Sequence, residues 1–158
     1  MEKEFSPEFQ GVVQHMSGLM GLTSAFKEKY GDEAIEVTKD FAEKMGTIIG
    51  NRIKEGAGIS GSGIEDMEKV FRGFLSMAKP PHEFELSVEG NTLTMKREMP
   101  AVCPGLIAAK RMGIPPDMFC NTITIPIWTG VAKSVNPDAV HASELMSEQK
   151  CIESIEIP

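Results

Sequence analysis

The fold class depends on residues 83–97, which read EFELSVEGNTLTMKR. Apolar side chains recur in this stretch at every second position: Phe84, Leu86, Val88, Leu93 and Met95. Strict alternation predicts half-buried strands, and the Gly-Asn pair between the two runs predicts the tight turn of a β-hairpin. We therefore expect one face of this hairpin to pack against the core and the other to face water.

The chain before the hairpin follows a helical period instead. Residues 1–80 are expected to form three helices, separated at Gly31 and at the glycine-rich run 56–63 and ended by Pro80 and Pro81. The apolar faces are predicted at Phe9, Val12, Val13, Met16, Leu19, Met20 and Phe26, then Phe41, Met45, Ile48, Ile49 and Ile53, then Ile64, Met67, Phe71, Phe74, Leu75 and Ala78. The glycine-rich run lacks a Gly-Lys-Ser/Thr ending, which favours a helix connection over a phosphate-binding loop.

Two more helices and a second hairpin are expected after residue 98. One helix spans 105–112, the next carries apolar positions from Ile123 to Val135, and the last strands cover 139–145 and 151–157. The predicted class is α+β, with N-terminal helices packed on an antiparallel sheet of two hairpins and two helices between the hairpins. We expect a single domain, 1–158, with a helical part at 1–80 and a hairpin-helix-helix-hairpin part at 81–158.

Composition limits the classes of partner. The 158 residues carry a net charge of −7 and contain no dense Lys/Arg run, which argues against nucleic acid as a partner. No run of eighteen apolar residues is present, so no membrane segment is expected. The acidic N-terminus lacks the layout of a signal peptide, and the three cysteines are too few for a disulfide framework. The expected location is the cytoplasm.

Three cysteines, Cys103, Cys120 and Cys151, all fall in the last third of the chain, each near the start of a predicted element. Thiolate sulfur is a soft ligand that suits zinc or an iron–sulfur cluster. A structural zinc site needs a fourth ligand, for which His141 is the candidate. An open metal position would suit hydrolysis, with Glu144 or Glu153 as general base.

The cysteines also allow two interpretations without a metal. Cys120 at a helix start could be a nucleophile with His141 as its base. All three could instead be inert core residues, because cysteine is often buried as a small hydrophobe and no Cys-x-x-Cys pair is present. An apolar ligand pocket is expected around Met118, Phe119 and Trp128.

Four motifs carry a family resemblance: Cys103-Pro104, Phe119-Cys120, Asn136-Pro137 and Cys151. With them the chain resembles the L-2-amino-thiazoline-4-carboxylic acid hydrolase-like proteins and, more distantly, the 4-vinyl-reductase-type ligand-binding domains. The resemblance implies a small-molecule pocket and a homodimer.

Two functions remain open from the sequence and the resemblance together. One is a metal- or iron–sulfur-dependent hydrolase or lyase acting on a C–N or C–S bond. The other is a non-catalytic sensor or carrier with an apolar, Met-rich pocket and structurally buried cysteines.

Overall fold

A computed structural model describes residues 5–77, 83–99 and 102–158. The predicted end of the third helix at Ala78, Pro80 and Pro81 lies outside the described residues. The elements, in chain order, are α1 (Pro7–Tyr30), α2 (Glu33–Ala57), α3 (Ile64–Ser76), β1 (Glu85–Glu89), β2 (Thr92–Glu98), α4 (Pro104–Met112), α5 (Pro116–Phe119), a π-helical turn (Cys120–Thr124), α6 (Ile125–Val135), β3 (Val140–Met146) and β4 (Lys150–Glu156).

The predicted α+β class is confirmed, because the two hairpins join into one four-stranded antiparallel sheet in the order β1-β2-β4-β3. The first hairpin turns at Gly90, whose φ of 57° lies in the left-handed region that glycine tolerates best. Strand β2 pairs with β4 in a register that sets Leu93 opposite Ile155 and Arg97 opposite Cys151. This central pairing brings the ends of two distant sequence segments together.

One face of the sheet forms the floor of the main core. Leu93, Met95 and Ile155 are fully buried there, beneath Phe71 of α3 and Trp128 of α6. The rings of Phe71 and Trp128 meet edge to face with centroids 6.0 Å apart. The alternation in the sequence therefore marks the core face correctly for this part of the sheet.

The predicted core face of α2 is wrong for Phe41, Met45 and Ile48, whereas Ile53 packs against the core and Ile49 lines a pocket. The buried positions of α2 recur every fourth residue and are small: Thr38, Ala42, Gly46 and Gly50. The larger side chains of Phe41, Met45 and Ile48 are exposed, as is Phe26 on α1. The reason is a backbone-to-backbone approach between α2 and α6. A Cβ atom added at Gly46 would overlap the carbonyl group of Ile127, and one added at Gly130 would overlap that of Glu43.

Pro126 explains the irregular start of α6. Proline has no N–H with which to continue the i→i−4 ladder, so the helix cannot remain regular on its N-terminal side. The chain instead makes a π-helical turn, in which the N–H of Ile125 donates to the carbonyl of Cys120, five residues earlier. Such single turns often occur at functional sites.

Within residues 5–77, 83–99 and 102–158, the structure contains no helix with both the length and the apolar character needed to cross a membrane.

The α2–α6 approach makes a stability prediction. Gly46→Ala should lower the free energy of unfolding by about 1–3 kcal/mol, because the new methyl group forces the helices apart. Gly56→Ala, in the same helix with nothing within 4 Å of the added Cβ, is the matched control and should be neutral or stabilising by up to about 1 kcal/mol. Urea unfolding monitored by circular dichroism measures both. Equal stabilities of the two variants would contradict the proposed close approach.

Candidate functional site

All three cysteines line one cavity of about 190 Å³ between the sheet and the helices. Its walls are largely apolar and include side chains from both halves of the chain: Met16, Phe74, Phe84, Leu106, Ile127 and Trp128. Two charged residues, Arg97 and Glu153, also line it. The fold therefore gathers the three thiols around one partly open pocket, which their wide spacing in sequence does not reveal.

A different structural device positions each cysteine. Cys103 is the residue before α4, where Pro104 begins the helix. Cys120 opens the π-helical turn, and its thiol lies beside the hydroxyl of Thr124, which also lines the cavity. Cys151 lies on the inner face of β4, directly opposite Arg97 of β2.

The surroundings keep all three thiols protonated at neutral pH. Burial raises the pKa of Cys103, against the opposing effect of the backbone N–H groups of Leu106 and Gly105. Burial, followed by the proximity of Cys103, raises the pKa of Cys120 to about 12. Burial and then the negative charge of Glu153 raise the pKa of Cys151. Cys120 also lies beyond the first turn of its helix, so the helix dipole does not give it the thiolate character expected from the sequence.

A buried hydrogen-bonded chain runs from Cys151 to Thr129. The Cys151 thiol donates to Oε1 of Glu153 over 3.3 Å, and Oε2 of Glu153 lies 2.6 Å from Nε2 of His141. The other ring nitrogen of His141 lies 2.9 Å from the Thr129 hydroxyl. The side chains of His141 and Glu153 are 1% and 2% exposed. The chain satisfies both oxygens of a buried carboxylate, as burial of a charge requires.

The structure separates several predicted site residues from the cysteines. Both ring nitrogens of His141 are engaged by protein groups, so neither is free to act as the fourth metal ligand or as a base for Cys120. Glu144 is exposed at the irregularity where β3 shifts register against β4, whereas Glu153 faces the cavity. Of the predicted carboxylates, only Glu153 lies at the site.

The three residues predicted to line the ligand pocket lie in different surroundings. Trp128 lines the cavity. Phe119 is fully buried in a second apolar cluster, with Phe9 and Val13 of α1, and is not part of the cavity wall. Met118 is exposed on the outer side of the same helical run. Only one of the three expected wall residues therefore contacts the cavity.

The described residues do not provide a preformed metal centre. Within them, no three side chains of His, Cys, Asp or Glu lie in an arrangement that could hold a metal ion. The donor set at the cavity is three protonated thiols and a carboxylate already bound by His141 and Cys151. The zinc or iron–sulfur expectation stays a prediction, which metal analysis of protein purified without oxygen can test.

Arg97 is the charged residue of the cavity that the sequence does not predict, whereas Glu153 is one of the two predicted general bases. Arg97 continues the inward parity of Leu93 and Met95, and Glu153 stands between Cys151 and Ile155 on the core face of the last strand. A charged residue at a core-facing position of a strand is the signal that could have identified both.

The chain matches no protein-family model and no curated protein.

The raised thiol pKa values predict slow alkylation. At pH 8 the thiolate fraction of Cys120 should be roughly a thousandfold below that of a thiol with the ordinary pKa of 9.0. Its rate of reaction with iodoacetamide should also continue to rise with pH through pH 10, where an ordinary thiol levels off. Peptide mass spectrometry follows each cysteine, with the guanidinium-unfolded chain as control. Reaction of Cys120 at the unfolded rate would contradict the burial argument.

Proposed function

We propose that this protein binds a small organic molecule in the cysteine-lined cavity. The observation that carries the proposal is that three thiols, one guanidinium and one carboxylate line one partly open, largely apolar pocket. Apolar walls with a few polar groups pointing inward are the usual make-up of a small-molecule site.

The size of the cavity limits the ligand. An engineered apolar cavity of about 150 Å³ binds benzene. The present cavity, at about 190 Å³, suits a ligand of benzene size or slightly larger. The aromatic rings of Trp128 and Phe84, with centroids 5.0 Å apart and planes inclined at 67°, form an apolar corner against which such a molecule can pack.

Binding is favoured over nucleophilic catalysis by the state of the thiols. A thiol with its pKa raised by burial is a poor nucleophile, since the thiolate is the reactive form. Protonated cysteines still line a pocket well, because their sulfur is polarisable and apolar. Hydrolysis of a C–N or C–S bond stays a prediction from the family resemblance, and Glu153 is then the carboxylate with access to the ligand.

Trp128 provides a direct test, since it is the only tryptophan of the chain and lines the cavity. Benzyl alcohol, a neutral probe of suitable size, should change its fluorescence in a saturable way. Cys120→Phe should abolish the change by filling the cavity, whereas Met118→Phe, an exposed neighbour, should leave it intact. A linear response, or equal responses from the two variants, would contradict the proposed site.

We also propose that two copies associate through the α1–α2 face, defined by Leu22, Phe26, Tyr30, Val37, Phe41, Met45 and Ile48. These seven side chains are 37% to 62% exposed, and they follow helical spacing on the two helices. Given roughly 150–250 Å² for an aromatic side chain, together they present on the order of 600 Å² of apolar surface. With a polar rim, this approaches the roughly 800 Å² per partner of a stable interface.

A second copy fits this face better than a nucleic acid or an anionic membrane. The net charge of −7 repels both of those partners. The rim carries both signs: Lys27 pairs with Asp32 at 3.0 Å across the α1–α2 turn, and Lys39 pairs with Glu36 at 2.9 Å within α2. A surface with mixed charges can complement itself across a two-fold axis, as an isologous dimer requires.

Phe41→Glu should convert the dimer to a monomer, because it places a charge in the middle of the apolar face. Light scattering after size-exclusion chromatography measures the mass at several protein concentrations. Met118→Glu, at an exposed methionine away from this face, should remain dimeric. A wild-type monomer at high micromolar concentration would contradict the proposal.

A further inference from the structure

Arg97 carries a buried charge, and among the described residues no carboxylate forms an ion pair with it. Its side chain projects from the inner face of β2, and the residue is only 3% exposed. Its terminal nitrogens donate to the carbonyl oxygens of Ser147, at 2.8 Å, and Glu148, at 3.3 Å, in the β3–β4 turn. Among the described residues, its Nε–H has no hydrogen-bond partner.

Both oxygens of the Glu153 carboxylate on the cavity wall already have hydrogen-bond partners in the protein. Oε1 of Glu153 accepts from the Cys151 thiol and Oε2 is bound to His141. Among the described residues, no carboxylate oxygen lies within 4 Å of the Arg97 guanidinium. Two backbone carbonyls satisfy part of the hydrogen bonding of a guanidinium, but they bring no full negative charge.

The guanidinium retains donors for a ligand. Arginine has five N–H donors in a planar fork, and the two bonds to the turn use two of them. The free Nε–H belongs to the edge of the fork that holds a carboxylate through two parallel hydrogen bonds. Arg97 is one of the residues that line the cavity, so its guanidinium lies beside the proposed ligand site.

From the uncompensated charge and the free Nε–H we infer that the ligand is a small organic anion, with its carboxylate bound by Arg97 and its apolar part against the Trp128 wall. This inference rests on the proposed function and names the class of ligand. A buried unpaired charge is unfavourable, and an anionic ligand removes that penalty on binding. A neutral ligand of the same shape would leave Arg97 unpaired.

The test compares benzoate with benzyl alcohol, which have similar apolar bodies but differ in charge. Trp128 fluorescence gives the dissociation constant of each for the full chain. Wild type should bind benzoate about tenfold to a hundredfold more tightly, the usual range for a hydrogen bond to a charged group. Arg97→Met should reduce this ratio to about one, while affinity for benzyl alcohol changes less than about threefold.

The outcomes separate the two proposals. If wild type binds both probes equally, the anion inference is overturned and the binding function stands. If it binds neither, both proposals are overturned. Since Arg97 also ties the β3–β4 turn, Arg97→Lys serves as a second variant that keeps the charge and should retain part of the preference for benzoate. A benzoate preference that survives in Arg97→Met would overturn the assignment to Arg97.

Discussion

The close contact between α2 and α6 is the constraint on which the rest of the molecule depends. Glycine at positions 46 and 130 lets the two backbones touch, and no residue with a Cβ fits at either point without displacing the partner helix. The contact presses α6 onto the sheet, where Trp128 packs between the sheet and α3. Small residues therefore occupy the part of α2 that touches α6. Phe41, Met45 and Ile48 of that helix are exposed and belong to the α1–α2 face.

The β2–β4 register decides which chemistry enters the cavity. An inner sheet face normally carries only apolar groups, yet here Arg97, Cys151 and Glu153 occupy adjacent inward positions. Both oxygens of Glu153 are hydrogen-bonded within the protein, one to His141 and one to the Cys151 thiol. Arg97 receives only carbonyl oxygens of the turn. This difference leaves Arg97 as the group to which the proposed anionic ligand would bind.

The sequence predicted the element order and the α+β class well, because alternation and helical period are local signals. The hairpin at Gly90 and the final pair of strands fall within a residue or two of their predicted places. The sequence did not predict which face of α2 is buried. The buried positions are small residues because α2 lies close to α6, and a contact between distant segments cannot be read from a local pattern. Of the predicted site residues, the three cysteines and Trp128 line the cavity, whereas His141 is hydrogen-bonded to protein groups and Glu144 is exposed. The hydrogen bond to the Glu153 carboxylate engages His141, and Glu144 lies at the bulge of β3. The spacing of residues in the sequence shows neither feature.

The cavity and the α1–α2 face are linked through the same helices. Val12 and Met16 of α1 line the cavity, while Leu22 and Phe26, two to four turns further on, face outward. Helix α1 packs chiefly on α4, whose first residue follows Cys103. A second copy seated on the outer face would therefore hold α1 against α4 and keep the cavity wall in place. If the proposed ligand and the proposed second copy both stabilise this helix arrangement, then by linkage each favours the binding of the other.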